Sequence, residues 1–303
     1  MSRRDTSRDT SRDTSRSLLR ATSVTHRFGD LVAVDDVSMH VEPGEVVGLL
    51  GANGAGKTTL IRMLLGLLAT SEGEVVVLGG PPDRARRRRL GYVPQNLGLY
   101  RDLTAEENLT FIARAYAAAR PVLPPDLAAY AGVLVGDLPL GIQRQVAFVA
   151  ALCHAPEVLL LDEPTSGVDA LSGTRLWDTI RAESDTGVGV LVTTHNMREA
   201  EQCDRLLLMA AGRVVARGSE TDVIGSTTAV EVRTDDWART FDCLERAGFA
   251  VMLAGRAVRI ADADQTGIRD GLDRCGIDAE LVPVPATIEE RMASLARAGA
   301  DGG

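Results

Sequence analysis

The stretch Gly51-Ala-Asn-Gly-Ala-Gly56-Lys57-Thr58 constrains the fold more than any other part of this 303-residue chain. It fits the pattern Gly-x-x-x-x-Gly-Lys-Ser/Thr, follows the apolar run VVGLL at 46–50, and opens a helical pattern over 57–68. Small residues let a backbone curl until several N–H groups converge on one anion, and the start of the following helix adds partial positive charge. A strand that runs into such a loop and then a helix is the repeating piece of parallel-sheet α/β folds. At this chain's composition the pattern arises by accident with odds on the order of one in a thousand. Lys57 is moreover the only lysine among 33 basic side chains. Arginine is a wide planar fork and lysine a compact point charge, so a site that keeps lysine in such a chain needs a slim cation.

The rest of the chain extends the α/β reading. VLLLD at 158–162 and VGVLVTTH at 188–195 read as buried parallel strands, with helical patterns behind them at 171–184 and 197–202. An earlier pair, 21–26 and 36–41, reads as antiparallel. Between 96 and 155 the pattern turns helical, opened by Thr104-Ala-Glu-Glu107, a capping box in which side chain and backbone bond reciprocally. Beyond Gly225 the texture becomes βαββαβ: strands at 228–234, 249–253, 256–261 and 280–284, helices at 236–247 and 264–275, and a last helix at 288–297. That order suits a ferredoxin-like sandwich. The domains expected are a disordered tail at 1–17 with a Ser-Arg-Asp-Thr repeat, an α/β domain at 18–225, and an accessory α+β domain at 226–303.

Composition excludes several classes. With 45% apolar and 25% charged residues the chain is globular rather than fibrous. A run such as 127–136 is half the roughly 20 residues a membrane helix needs, and no secretory leader pattern is found. The net charge of −9 disfavours nucleic acid as a partner. The arginine run at 84–89 is expected to be a solvated surface helix with local ion pairs. Cys153, Cys203, Cys243 and Cys275 are scattered without metal-ligand or disulfide spacing, so reduced thiols in a cytoplasmic protein are expected.

The chemistry expected of these residues is phosphate handling. Gly51, Ala52, Asn53, Gly54, Ala55 and Gly56, with Thr59 behind them, form the cradle; Lys57 neutralises β- and γ-phosphates and Thr58 holds Mg²⁺. Asp162 and Glu163 close a buried strand, where doubly wound sheets bind ligands. Asp162 suits Mg²⁺ through its water shell, and Glu163 is placed to polarise an attacking water. His195 ends the next strand and is a candidate γ-phosphate donor.

Taken together these motifs resemble the ATP-binding subunits of ABC transporters over roughly 18–224. GANGAGKT is similar to Walker A, VLLLDE to Walker B, and PTSGVD at 164–169 to the D-loop; Gln95 in GYVPQ and His195 in VTTH resemble the Q-loop glutamine and the switch histidine. The resemblance implies that Phe28 stacks on adenine and that Gln95 serves catalysis and Mg²⁺ while relaying motion to a permease. It implies a RecA-like P-loop NTPase core with an antiparallel β subdomain and a helical subdomain, ATP and Mg²⁺ as ligands, and two cassettes, in a homodimer or a heterodimer, clasping two ATP molecules. The signature departs: Leu138-Pro139-Leu140-Gly141-Ile142-Gln143 stands where the family has Leu-Ser-Gly-Gly-Gln, so Gly141 keeps one backbone approach to phosphate and the serine is lost. Such variants resemble those of ABC-2-type export ATPases, and the segment ending VPATIEERMASLAR resembles the extension of drug and antibiotic exporters. The expectation is an ATPase that powers export through a separately encoded ABC-2-type permease, held peripherally on the inner face of the cell membrane. The alternatives are a regulatory ATP-binding subunit with weak turnover and a soluble ABC protein of translation or DNA repair.

Overall fold

Residues 17–300 are described by the structure, a computed structural model, with side chains as far as 295. The tail expected at 1–17 lies outside the described residues apart from Ser17. In chain order, β1 (Leu19–Phe28) and β2 (Leu31–Val41) precede β3 (Val46–Leu50), the phosphate-type loop and α1 (Lys57–Leu64). Next come β4 (Glu72–Val77), α2 (Arg84–Arg87), β5 (Leu90–Val93), α3 (Ala105–Tyr116) and α4 (Leu140–Leu152). The series β6 (Val158–Asp162), α5 (Ala170–Asp185), β7 (Gly189–Thr194), α6 (Met197–Ala200), β8 (Arg205–Ala210) and β9 (Arg213–Gly218) follows. After α7 (Glu220–Ile224) the chain continues through β10 (Thr228–Arg233), α8 (Trp237–Arg246), β11 (Val251–Ala254), β12 (Ala257–Ala261), α9 (Gln265–Arg274), β13 (Glu280–Pro285) and α10 (Ile288–Ala300).

The six-stranded sheet has the order β5-β6-β7-β3-β8-β9, and the pairs from β5 to β8 are parallel. Strands β3, β6 and β7 in its middle are buried at every position because both faces are covered. One face packs Val47, Leu49, Leu160 and Leu191 against Leu60, Ile61 and Leu64 of α1 and the antiparallel sheet β2-β1-β4. The other packs Val46, Leu159, Leu161 and Val192 against Phe148 of α4 and Leu176, Trp177 and Ile180 of α5. Each such side chain contributes about 1.5–3 kcal/mol on burial. A third cluster, with Leu109, Leu127, Val135 and Val146, holds the helical region together.

Local chemistry sets several ends. The capping box at α3 forms, with Thr104 accepting from the Glu107 N–H and Glu107 accepting from the Thr104 N–H. The helix read over 57–68 stops at Leu64, because Gly66 takes φ +64°. Gly66 N–H then donates to Met63 O and Leu67 N–H to Arg62 O, the pattern that terminates a helix through a left-handed residue. Strands β4, β5, β8 and β9 complete the two sheets beyond those given ranges from the sequence.

Packing divides the chain between Val214 and Val215, inside β9, and α7 packs on α10. The second unit is a βαββαβ sheet of order β11-β12-β10-β13, antiparallel throughout. Val232, Val258 and Ile260 meet Leu244, Ile268 and Leu272 of α8 and α9 in its core. Arg259 donates from Nε to Glu290 at 2.6 Å, tying α10 to β12.

Cys243 and Cys275 correct the expectation of reduced thiols: they are joined in a disulfide across a sequence separation of 32. Their spacing carries no signal because the proximity is tertiary, created where α8 packs beside α9. Cys153 and Cys203 are free, and burial pushes the Cys203 thiol up to about 12.

Candidate active site

Strand register assembles the site. Val93 pairs with Leu161 across β5 and β6, so Gln95 and Glu163, each two residues further on, emerge side by side. Asp162 pairs with Thr193 across β6 and β7, and Leu50, the last residue before the loop, pairs with Thr194. All these positions lie at the carboxyl ends of parallel strands, where the backbone leaves the sheet and side chains are released toward a ligand.

The loop between β3 and α1 depends on glycine at two points. Gly56 caps α1 with φ +101°, and a Cβ there would stand 2.4 Å from the Ala33 carbonyl oxygen. Gly51 has φ +155°, and a Cβ there would stand 2.5 Å from Met209 O. No side chain caps the amino end of α1, so its N–H groups face the cleft. The Lys57 amine arches back over the loop and donates to Gly51 O at 2.8 Å and Ala52 O at 3.2 Å. Burial pulls its pKa below the ordinary lysine range, while the charges of Glu163 and Asp162 pull the other way.

Asp162 is held at both oxygens. Thr58 Oγ1 donates to Oδ2 at 2.9 Å and Thr193 Oγ1 to Oδ1 at 2.6 Å. Glu163 takes φ +50°, a left-handed backbone rare for a residue with a side chain, and its N–H donates to Thr193 Oγ1 at 3.0 Å. The bend turns the Glu163 carboxylate out of the strand. Gln95 Nε2 donates to its Oε2 at 3.2 Å, and His195 Nδ1 lies 3.4 Å from its Oε1. Beneath, the buried Arg144 donates to Glu163 O at 3.0 Å and Ser166 O at 2.6 Å.

A cleft of about 680 Å³ runs over this group, lined by Phe28, Asn53 through Thr59, Gln95 and Glu163. Phe28 in that lining is 48% exposed, with His26 edge-on at 4.5 Å. The structure thus brings together Phe28, Lys57, Thr58, Thr59, Gln95, Asp162, Glu163 and His195. It leaves Gly141 elsewhere, in the first turn of α4, where a Cβ would meet Ser172 Oγ of α5 at 2.7 Å. Pro139 caps that helix without a side-chain hydrogen bond.

Thr193 and Arg144 are parts of the site that the sequence reading did not assign. Thr193 is one of two adjacent threonines, and only the β6–β7 register tells which faces Asp162. Arg144 lies on α4, far in sequence from the carbonyls it holds.

The cleft fits a nucleotide triphosphate with Mg²⁺: a slim cation, a glycine cradle, and a hydroxyl sharing a carboxylate, the oxygen donors that magnesium prefers. Among the described residues no cluster of three or more His, Cys, Asp or Glu could hold a metal, so a cation here would rest on Thr58, Asp162 and phosphate oxygens. The arginine run is engaged locally: Arg86 with Asp83 at 2.5 Å, Arg89 with Glu157 at 2.5 Å, Arg87 with Pro82 O and Arg88 with Tyr116 O. No helix among the described residues is long and apolar enough to cross a membrane.

Comparison with known proteins gives a consistent picture. The ABC transporter family matches residues 34–166. The Nod factor export ATP-binding protein I of Burkholderia thailandensis is 41% identical over 222 residues, covering 69% of this chain and 73% of that one. The probable multidrug ABC transporter ATP-binding protein YbhF of Escherichia coli K12 is 39% identical over 219 residues, 68% of this chain. The match spans only 38% of YbhF's own length. A solved structure described as the ATP-binding subunit of an ABC transporter superposes with a TM-score of 0.64 at 30% identity, covering 69% of this chain and 92% of that one.

Proposed function

The chain belongs to the ABC transporter family of ATP-binding proteins, the ABC ATPases, and from that premise we propose that it binds and hydrolyses ATP to power export through a separately encoded permease of the ABC-2 type. The observation that carries this reading is the convergence of Lys57, Thr58, Asp162 and Glu163 on one cleft through the pairing of β3, β6 and β7. Residues 18–225 are read as the ATP-binding domain and 226–303 as an accessory domain.

In this mechanism Phe28 stacks on the adenine and the loop N–H groups, with Lys57, grip the phosphate tail. Thr58 and Asp162 would hold Mg²⁺, which would supply charge neutralisation to the phosphate tail. The Glu163 carboxylate orients the attacking water and accepts its proton; Gln95 fixes the carboxylate and His195 contacts the γ-phosphate. Pre-set donors of this kind act on charge as it develops.

Because Gly141 lines no part of the cleft, its backbone would serve a second cassette, either another copy or a related chain, and that arrangement supports a dimer closing on two nucleotides. Tyr100 and Phe111, half exposed and edge-to-face at 5.1 Å a short way beyond Gln95, suit the docking of a permease helix. That docking would hold the chain peripherally on the inner face of the membrane. The likeness to a Nod factor export ATP-binding protein supports an outward direction.

A second reading, a regulatory subunit with weak turnover, is favoured by Pro139, which lacks the hydroxyl of the usual signature. Losing one transition-state donor costs about 3 kcal/mol, or about 10²–10³ in rate. Phosphate release, measured for the chain alone and with its permease, separates the two. Glu163→Gln is expected to lower turnover at least about 100-fold and to retain bound ATP, and Lys57→Ala to lose both. Turnover that survives both substitutions would exclude this site as its source.

A further inference from the structure

His195 is loosely held for a member of this site. Its ring is half exposed, and its Nδ1 stands 3.4 Å from Glu163 Oε1, longer than a good hydrogen bond. Glu163 has the opposite condition: a backbone bent to φ +50°, which costs about 1–3 kcal/mol and persists only where the surroundings fix it. The separation of the two groups therefore depends on what ties the segment after β6 to the end of β7.

Glu199 makes that tie. It lies in α6, shortly after His195, and is 6% exposed. Thr165, just past Glu163, donates its hydroxyl to Glu199 Oε1. Only Pro164 intervenes, and its ring locks one backbone torsion of the link. On the β7 side, burial pushes the Glu199 carboxyl above the ordinary carboxylate range, and the Thr194 hydroxyl, with the charge of His195, pulls it back. Thr194 is itself buried, and its oxygen accepts from the Asn196 N–H at 2.9 Å, so the turn that carries His195 is fixed at the same point. Glu199 lines no part of the nucleotide cleft and so acts from behind it.

We propose that Glu199 is a positioning residue for ATP hydrolysis: bonded to Thr165 and set against Thr194, it holds the Glu163 carboxylate and the His195 ring at their working separation. This role rests on the reading of the cleft as an ATPase site. A misplacement of about 1 Å in a reacting group can cost about 100-fold in rate, so a bond outside the cleft is enough to matter.

The test uses the full-length chain and reads phosphate release, ATP affinity by calorimetry, and the imidazole proton signal of His195, identified by its loss in His195→Ala. Thr165→Val keeps the shape and removes the donor. It is expected to lower kcat about tenfold, to leave ATP affinity within about twofold of the parent and to move the His195 signal. Thr165→Ser should restore all three. Glu199→Ala should reproduce the loss of kcat, and Glu199→Gln, which keeps an acceptor oxygen for Thr165, should recover most of it. If Glu199→Ala does not fold, the two Thr165 variants decide. A parent chain without turnover that Lys57→Ala removes would sink the ATPase reading and this inference with it. With parent turnover present, the inference alone is overturned if Thr165→Val works at the parent rate, if its ATP affinity falls in step with kcat, or if the His195 signal stays in place.

Discussion

Thr193 Oγ1 donates to Asp162 Oδ1 at 2.6 Å with both residues buried, so the carboxylate that ends β6 is oriented by the neighbouring strand before any ligand arrives. Thr58 bonds its other oxygen, which leaves Asp162 little freedom to rotate. Partners that orient a ligating carboxylate typically matter 10–100-fold for metal affinity or activity.

Thr193→Val, nearly equal in shape, is therefore expected to lower ATP turnover by about 10–100-fold and to raise the Mg²⁺ concentration needed for half-maximal rate. Thr193→Ser should restore most of the loss. Phosphate release titrated against Mg²⁺ is the measurement, and an unaltered Mg²⁺ requirement in the valine variant would refute the orienting role.

Phe28 presents an exposed ring to the nucleotide cleft. A stacking contact of this kind contributes about 0.5–1.5 kcal/mol. Phe28→Ala should weaken ATP binding by roughly 3–10-fold and leave inorganic tripolyphosphate binding untouched, as read by calorimetry. Equal loss for both ligands would mean that the ring supports the loop instead of the base.

The pH dependence of stability follows from Lys57. Its pKa is lowered from 10.5 by burial, so between the lowered value and 10.5 the unfolded chain binds more protons than the folded one. Stability from this group therefore rises with pH across that window, and below it the charged, buried amine is a constant liability. Lys57→Met is expected to raise the melting temperature at neutral pH, by an amount that shrinks as pH approaches 10.5, while abolishing ATP binding. A melting-temperature gain that does not shrink over that window would contradict the assignment.

In the second unit, the disulfide between Cys243 and Cys275 closes a loop with a sequence separation of 32. A cross-link of this kind stabilises by about 2–4 kcal/mol, chiefly by restricting the unfolded chain. The protein has two tryptophans, Trp177 in the first unit and Trp237 in the second, so Trp177→Phe isolates the second unit's fluorescence. Denaturant unfolding of that variant should shift to lower concentration with reductant, and Cys243→Ala with Cys275→Ala should reproduce the shift. Coincident curves with and without reductant would show that the bridge does not support the fold.

Short-range chemistry made much of this protein readable from its sequence. The order Gly51–Thr58 after an apolar run identified a strand, a loop and a helix because glycine geometry, lysine charge and helix start must be contiguous to cradle an anion. Runs at 158–162 and 188–195 marked strands covered on both faces, and Thr104 with Glu107 marked a helix start, since capping partners lie three residues apart. Tertiary structure alone decided what depends on distance through space. Strand register chose Thr193 as the residue that holds Asp162 and set Gln95 beside Glu163. Helix packing joined Cys243 to Cys275, sent Arg144 to the carbonyls beneath Glu163 and left Gly141 outside the cleft. None of these follows from spacing, because hydrogen bonds, disulfides and packing contacts are satisfied by proximity in the folded chain, whatever the number of residues between the partners.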